Sequence, residues 1–157
     1  MSESHPQRET TETGKKPVHV VVAGYGPVGR CVAEELSHAD VQITIVELNL
    51  DTIERQLRLN KHHVVFGDVT DVQTLKNAKV DQADALVLTV PDEEVALKAC
   101  RLVRELAPDI FIAVRTNYLS KGLQASSLGA DEVIVEEIVT ARAMRDAVMR
   151  GLSVERG

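Results

Sequence analysis

At 157 residues the chain is long enough for one compact domain with a sizeable core and leaves little room for a second. Its composition, 44% hydrophobic and 27% charged, is that of a globular protein, and aromatics at 3% with no Trp mean that the core must be aliphatic. A formal net charge of −6 argues against a nucleic-acid binder, because such affinity comes from clustered Lys and Arg meeting phosphates.

The first stretch, residues 1–16, is polar and without hydrophobic periodicity, a composition that cannot offset the entropy of ordering, so a disordered tail is expected there. It has no apolar leader core, and no segment of the chain reaches the ~18 apolar residues that span a bilayer, so a soluble, cytosolic chain is expected. From Val18 onward short β-branched runs alternate with helical patterns, which implies a parallel sheet with helices on both faces. Six strands are expected: Val18 to Ala23, Gln42 to Val46, His63 to Phe66, Ala85 to Val90, Ile110 to Val114 and Glu132 to Val135. The first helix should bury Val28, Cys31, Val32 and Leu36, and the second Leu50, Ile53 and Leu57. Asp71 to Asn77 is a short third helix. The fourth carries Val95, Ala99, Leu102, Val103 and Leu106 on one stripe and ends before Pro108. Tyr118 to Ser126 and Glu137 to Arg150 complete the set, and residues 153–157 are expected to trail off. Cys31 and Cys100 lie on these stripes and not in a metal-ligand spacing, so both read as small buried residues.

The run VHVVVAGYGPVGR places Gly24, Gly26 and Gly29 in GxGxxG spacing between a strand and an amphipathic helix. In that context Gly24 makes the tight turn, Gly26 lets backbone approach a phosphate, and Gly29 lets the helix pack on the strand. The helix N-terminal N–H groups then face an anion, and Pro27 costs nothing at the first helical position. The expected fold is therefore α/β and Rossmann-like, a doubly wound six-stranded parallel sheet in the order 3-2-1-4-5-6. Residues 17–152 would form the nucleotide-binding domain.

Tyr25 and Val28 belong to the same turn. Glu47 ends the second strand 18 residues after Gly29, near the ~20 expected for the acid that binds ribose hydroxyls, and it would repel a 2′-phosphate. Leu48 and Asn49 follow it at the sheet edge. Gly67, Asp68 and Val69 end the third strand, where Asp68 has two readings: an acceptor for an adenine amino group beside the Val69 amide, or an Asx turn or cap ahead of Asp71. Thr89, Val90 and Pro91 wall the same edge, while Asp92 and Glu93 read as helix-start charges. Arg115 after the run Ile110 to Val114 either contacts a phosphate or carboxylate, or pairs with Glu136 or Glu137. His62 and His63 point oppositely on an extended chain, so no metal site is expected. Nothing supplies an acid or base opposite a nicotinamide, and Tyr25 and Tyr118 lack the Lys four residues on that short-chain reductases use. No catalysis is expected. Ligand-biased conformational change remains open to such a domain. The alternatives are a small NAD-dependent oxidoreductase with its substrate site at a dimer interface, and an interaction domain with a structural ligand.

In order along about 130 residues, GYGPVG, VELN, VVFGDVTD, the stretch VDQADALVLTVPDEEVALKACRLVRELAPDIFIAVRTN and LGADEVIVEE resemble the RCK family, regulators of potassium conductance also called TrkA-N or KTN domains. The resemblance implies a cytosolic gating domain at the inner face of the membrane. Its partner would be an integral membrane K⁺ channel, Trk/Ktr uptake system or Kef-type cation/proton antiporter. It implies an adenine nucleotide as ligand, with ribose on Glu47, adenine at Asp68 and Val69, phosphate near Arg115, and Glu137 reaching a neighbouring subunit's ligand or a cation. Many members carry Arg where this chain has Pro27, a residue that reaches terminal phosphates, so AMP or NAD(H) is favoured over ADP or ATP. The resemblance also implies a homodimer or higher ring. Ile138, Ala141, Val148 and Leu152 on the last helix are either part of that contact or ordinary packing on the sheet. The family's second lobe does not follow, so a short separate subunit or a fragment of a membrane protein is expected.

Overall fold

The structure, a computed structural model, describes residues 15–154. Strands β1 (Val18–Ala23), β2 (Val41–Glu47), β3 (His63–Phe66), β4 (Ala85–Leu88), β5 (Phe111–Thr116) and β6 (Glu132–Val135) form one sheet in the order β3-β2-β1-β4-β5-β6. Every pairing is parallel, as the expected order requires. The helices are α1 (Pro27–Leu36), α2 (Leu50–Leu59), α3 (Val72–Asn77), α4 (Glu93–Leu106), α5 (Leu119–Ser127) and α6 (Glu136–Val154). A 3₁₀ turn, Val80–Gln82, which has no periodicity to announce it, precedes β4.

Because strand side chains alternate, β1 feeds two cores. Val20 and Val22 join Ile43, Ile45 and Ala33 of α1 on one face. Val21 and Ala23 join Leu86, Leu88 and Ile112 beneath Leu75 of α3, Ala99 and Val103 of α4, and Ala125 of α5 on the other. Central β1 and β2 are buried on both sides, hence their nearly unbroken Val and Ile runs.

The expected stripes on the first two helices are corrected. Gly29 and Ala33 are the buried residues of α1, while Val28 and Cys31 are exposed. The turn brings α1 so close to the sheet that small residues lie directly beneath it and Val28 and Cys31 turn outward, while the expected Val32 and Leu36 stay half-buried, Leu36 against the core. On α2 the buried pair is Ile53 and Gln56, and Leu50 and Leu57 are about 60% exposed. Cys100 is buried as expected. Strand β4 stops at Leu88, so Thr89 and Val90 belong to the loop after it, and β5 extends through Arg115 to Thr116. Helix α6 runs to Val154, past the expected start of a tail at 153. The remainder of that tail, and the N-terminal tail except Lys15 and Lys16, lie outside the described residues.

Candidate functional site

Where the chain reverses from leftward to rightward crossovers, between β1 and β4, the carboxyl ends of the strands open into a crevice of about 720 Å³. That volume lies within the range of small-molecule sites, about 300–1,000 Å³.

One wall is the turn from β1 to α1. Gly24 has φ +91°, a conformation that L side chains rarely adopt, and a Cβ there would stand 2.7 Å from the Val90 nitrogen. A Cβ on Gly29 would overlap the Gly24 carbonyl oxygen, so this glycine lies under the turn and does not line the crevice. At Gly26, in contrast, nothing lies within 4 Å of the Cβ position, and the approach to the backbone is open. Pro27 starts α1, and Arg30 is the first residue whose N–H closes a helical bond, onto Gly26 at 2.9 Å, which leaves the preceding N–H groups at the positive end of the helix dipole. Tyr25 is buried in the α1-side core, and that burial pushes its phenol above the ordinary value.

Glu47, at the end of β2, does more than its spacing suggested. Its Oε2 accepts from Tyr25 N at 2.7 Å, and its Oε1 accepts from Leu48 N at 2.8 Å and Asn49 N at 3.0 Å. The carboxylate therefore fixes the glycine turn to the start of α2 and still presents lone pairs to the crevice that it lines. Asn49 also caps α2 by accepting from Thr52 N. Thr89 is a second brace invisible in the sequence pattern: its hydroxyl donates to the Gly24 carbonyl at 2.7 Å, across 65 residues of chain.

On the far side of β2, Asp68 makes the Asx turn. It accepts from both the N–H and the hydroxyl of Thr70, and these bonds, backbone first, hold its carboxyl below the ordinary carboxylate value. The cap of α3 is Asp71, which accepts from Gln73 N. Asp68 nevertheless lines the crevice with Gly67 and Val69, so the turn and the site are compatible.

The right-hand wall is Val90, Pro91, Val95, Asp92 and Arg115. Asp92 caps α4, accepting from Glu94 N and Val95 N, yet also lines the crevice, as do Val46 and Thr52. Sequence reasoning missed Asp92, Val95, Thr52 and Val46, since a cap residue, helix residues in the first turn and a strand residue next to the end carry no pattern of their own. Arg115 meets both of its readings. It faces the crevice at 20% exposure, and its Nη1 donates to Glu136 Oε1 at 2.9 Å. Its Nε is buried and has no acceptor among the described residues. Glu137 is exposed and outside the crevice of its own chain. Among the described residues no group of three or more acidic, His or Cys side chains is arranged to hold a metal, and no helix is long and apolar enough to cross a membrane.

A doubly wound sheet, a glycine turn opening a helix, and an acid at the second strand end tied to that turn define a Rossmann-type domain. The chain belongs to the TrkA-N domain family, whose profile matches residues 20–136. Among its relatives, the putative K⁺ efflux antiporter KefB of Alkalimonas amylolytica is 34% identical over 137 residues, covering 87% of this chain. The chain spans only 20% of that antiporter's length. The TrkA-N domain of the inner membrane protein YbaL of Escherichia coli superposes with a TM-score of 0.80 at 26% identity, covering 84% of this chain and 97% of that one. The Kef C-terminal domain of Shewanella denitrificans, solved in an AMP-bound form, shares the fold with a TM-score of 0.74 at 23% identity, over 85% of this chain and 80% of its own.

Proposed function

We propose that the chain is a nucleotide-sensing regulatory domain of a potassium or Kef-type cation/proton transport protein, with residues 17–152 as the sensing unit. The observation that carries this reading is the union in one crevice of the open Gly26 backbone, the Glu47 carboxylate and the Arg115 guanidinium. That combination suits an adenosine with phosphate: hydroxyls on Glu47, adenine by Asp68 and Val69, phosphate between the α1 N-terminus and Arg115. Three carboxylates, Glu47, Asp68 and Asp92, line the crevice against one cation. A ligand of low charge, AMP or NAD(H), is therefore favoured over ADP and ATP.

The residues lining the crevice include no His or Lys to serve hydride transfer, and most of the Tyr25 side chain is buried in the α1-side core. This supports sensing over turnover. We place the domain at the cytoplasmic face of the membrane, working through its transport partner. The dimer or ring uses the apolar side chains left exposed at Leu119, Leu123, Ile134, Val139, Met144 and Val148. Glu137, exposed beside that surface, would meet a neighbouring subunit's ligand.

Thermal unfolding with AMP, ADP, ATP, NAD⁺ and NADH tests the reading. A ligand at 100 times its Kd adds about 2.7 kcal/mol. We expect the largest rise with AMP or NADH. No rise with any of the five overturns the proposal.

A further inference from the structure

The ion pair at the right-hand wall of the crevice is also the root of the last helix. Arg115 donates to Glu136 at 2.9 Å through Nη1, and Glu136 is the first residue of α6. Beyond it the helix leaves the body: every residue from Val139 to Ser153 is exposed. The other bond at this junction, from Glu137 N to the Asn117 carbonyl, is long at 3.4 Å.

The pose of Arg115 is incompletely satisfied. A guanidinium offers five N–H donors in a planar fork whose edge matches two oxygens of one anion. Here a single carboxylate oxygen holds one nitrogen, while Nε is buried without an acceptor among the described residues. A buried donor left unpaired is unfavourable, and turning that edge toward a phosphate in the crevice would pair it. Glu136, once released, stays at the positive end of the α6 dipole, which lowers the cost of letting it go.

We propose that Glu136 is a resident counter-ion that the phosphate of a bound nucleotide displaces from Arg115, so that loading the crevice releases the first turn of α6. The inference rests on the nucleotide reading above and adds to it the route by which occupancy leaves the crevice. Two anions compete for one cation, so Glu136 also sets how strongly the crevice prefers a phosphorylated ligand over adenosine. Linkage makes the effect reciprocal: a partner that draws α6 away from the body tightens nucleotide binding by the same factor.

Calorimetric titration of the full chain with AMP, NAD⁺ and adenosine, together with amide hydrogen exchange, tests this. E136Q should bind AMP or NAD⁺ about tenfold more tightly, within the usual range of coupling between sites, and leave adenosine unchanged. E132Q, which removes one charge from an exposed position on β6, should leave all three affinities as they are. In the unaltered protein, AMP or NAD⁺ should speed exchange of the amides of residues 137–142, and in E136Q those amides should already be fast without ligand. Equal phosphate-ligand affinity in E136Q and the unaltered chain overturns the inference, as does an equal gain in E132Q, and in both cases the nucleotide reading stands. Failure of the unaltered chain to bind any of the three ligands overturns that reading and the inference together.

Discussion

The carboxyl edge of the sheet carries two strand-to-helix junctions built on opposite principles. At β1–α1 the backbone itself is locked: Gly24 is left-handed, Gly29 is pressed under the turn, Glu47 takes three backbone N–H groups, and Thr89 clasps the Gly24 carbonyl. At β6–α6 the strand passes from Val135 straight into Glu136, and among the described residues the polar ties there are one ion pair and one long N–H bond, beside the half-buried Ile138. The first junction is positioned before any ligand arrives, as recognition of a small charged group demands. The second is the kind of weakly held element that a ligand or a partner can move.

This contrast predicts a graded series of stability losses, each read from urea unfolding midpoints. Gly29→Ala should cost most, about 3 kcal/mol, because the added methyl meets backbone and neither side can move away. Glu47→Ala should cost about 2 kcal/mol by stranding three N–H groups, and calorimetry should show weaker binding of every ribose-containing ligand, adenosine included. Unchanged nucleotide affinity in that variant would mean that the ribose lies elsewhere.

Asp131, which braces β5 by accepting from Ile112 N and Arg104, gives a pH-dependent intermediate case. The Ile112 N–H and then the Arg104 guanidinium hold its carboxyl below the ordinary value of 3.8. Its contribution is therefore complete above that value and fades as the pH falls through the lower folded one. Asp131→Asn should cost about 1 kcal/mol at pH 7, discounted for an exposed carboxylate, and progressively less as the pH falls below 3.8. Smallest of all, deleting residues 141–157 should shift the stability of the monomer, measured at a protein concentration too low for assembly, by under about 0.5 kcal/mol, since all described side chains removed are exposed in the single chain. If that deletion costs as much as Gly29→Ala, the contrast between the two junctions fails. A thiol titration sharpens the same map: Cys31 should react with a disulfide reagent at once, whereas Cys100, buried with its thiol pushed up by desolvation, should wait for unfolding.

Much of the site was legible because it is made of backbone demands. A left-handed turn needs Gly24, a close helix needs Gly29, and a strand end 18 residues on leaves a carboxylate at Glu47, so spacing alone located the crevice and the strand order. The helix faces were less legible. Hydrophobicity put Val28, Cys31 and Leu57 inside, yet packing distance put Gly29, Ala33 and Gln56 there. When a turn presses a helix onto a sheet, size decides the inward face, and periodicity of apolar residues misleads by about one position.

What the sequence by itself determined is therefore the α/β class, the winding of the sheet and the glycine turn, since these follow from local periodicity and from conformations open only to glycine. Only the tertiary structure decided that Thr89 braces that turn, that Arg115 holds Glu136 while facing the crevice, and that α6 stands away from the body. Each depends on contacts between segments far apart in the chain, and a one-dimensional pattern carries no record of distance in space.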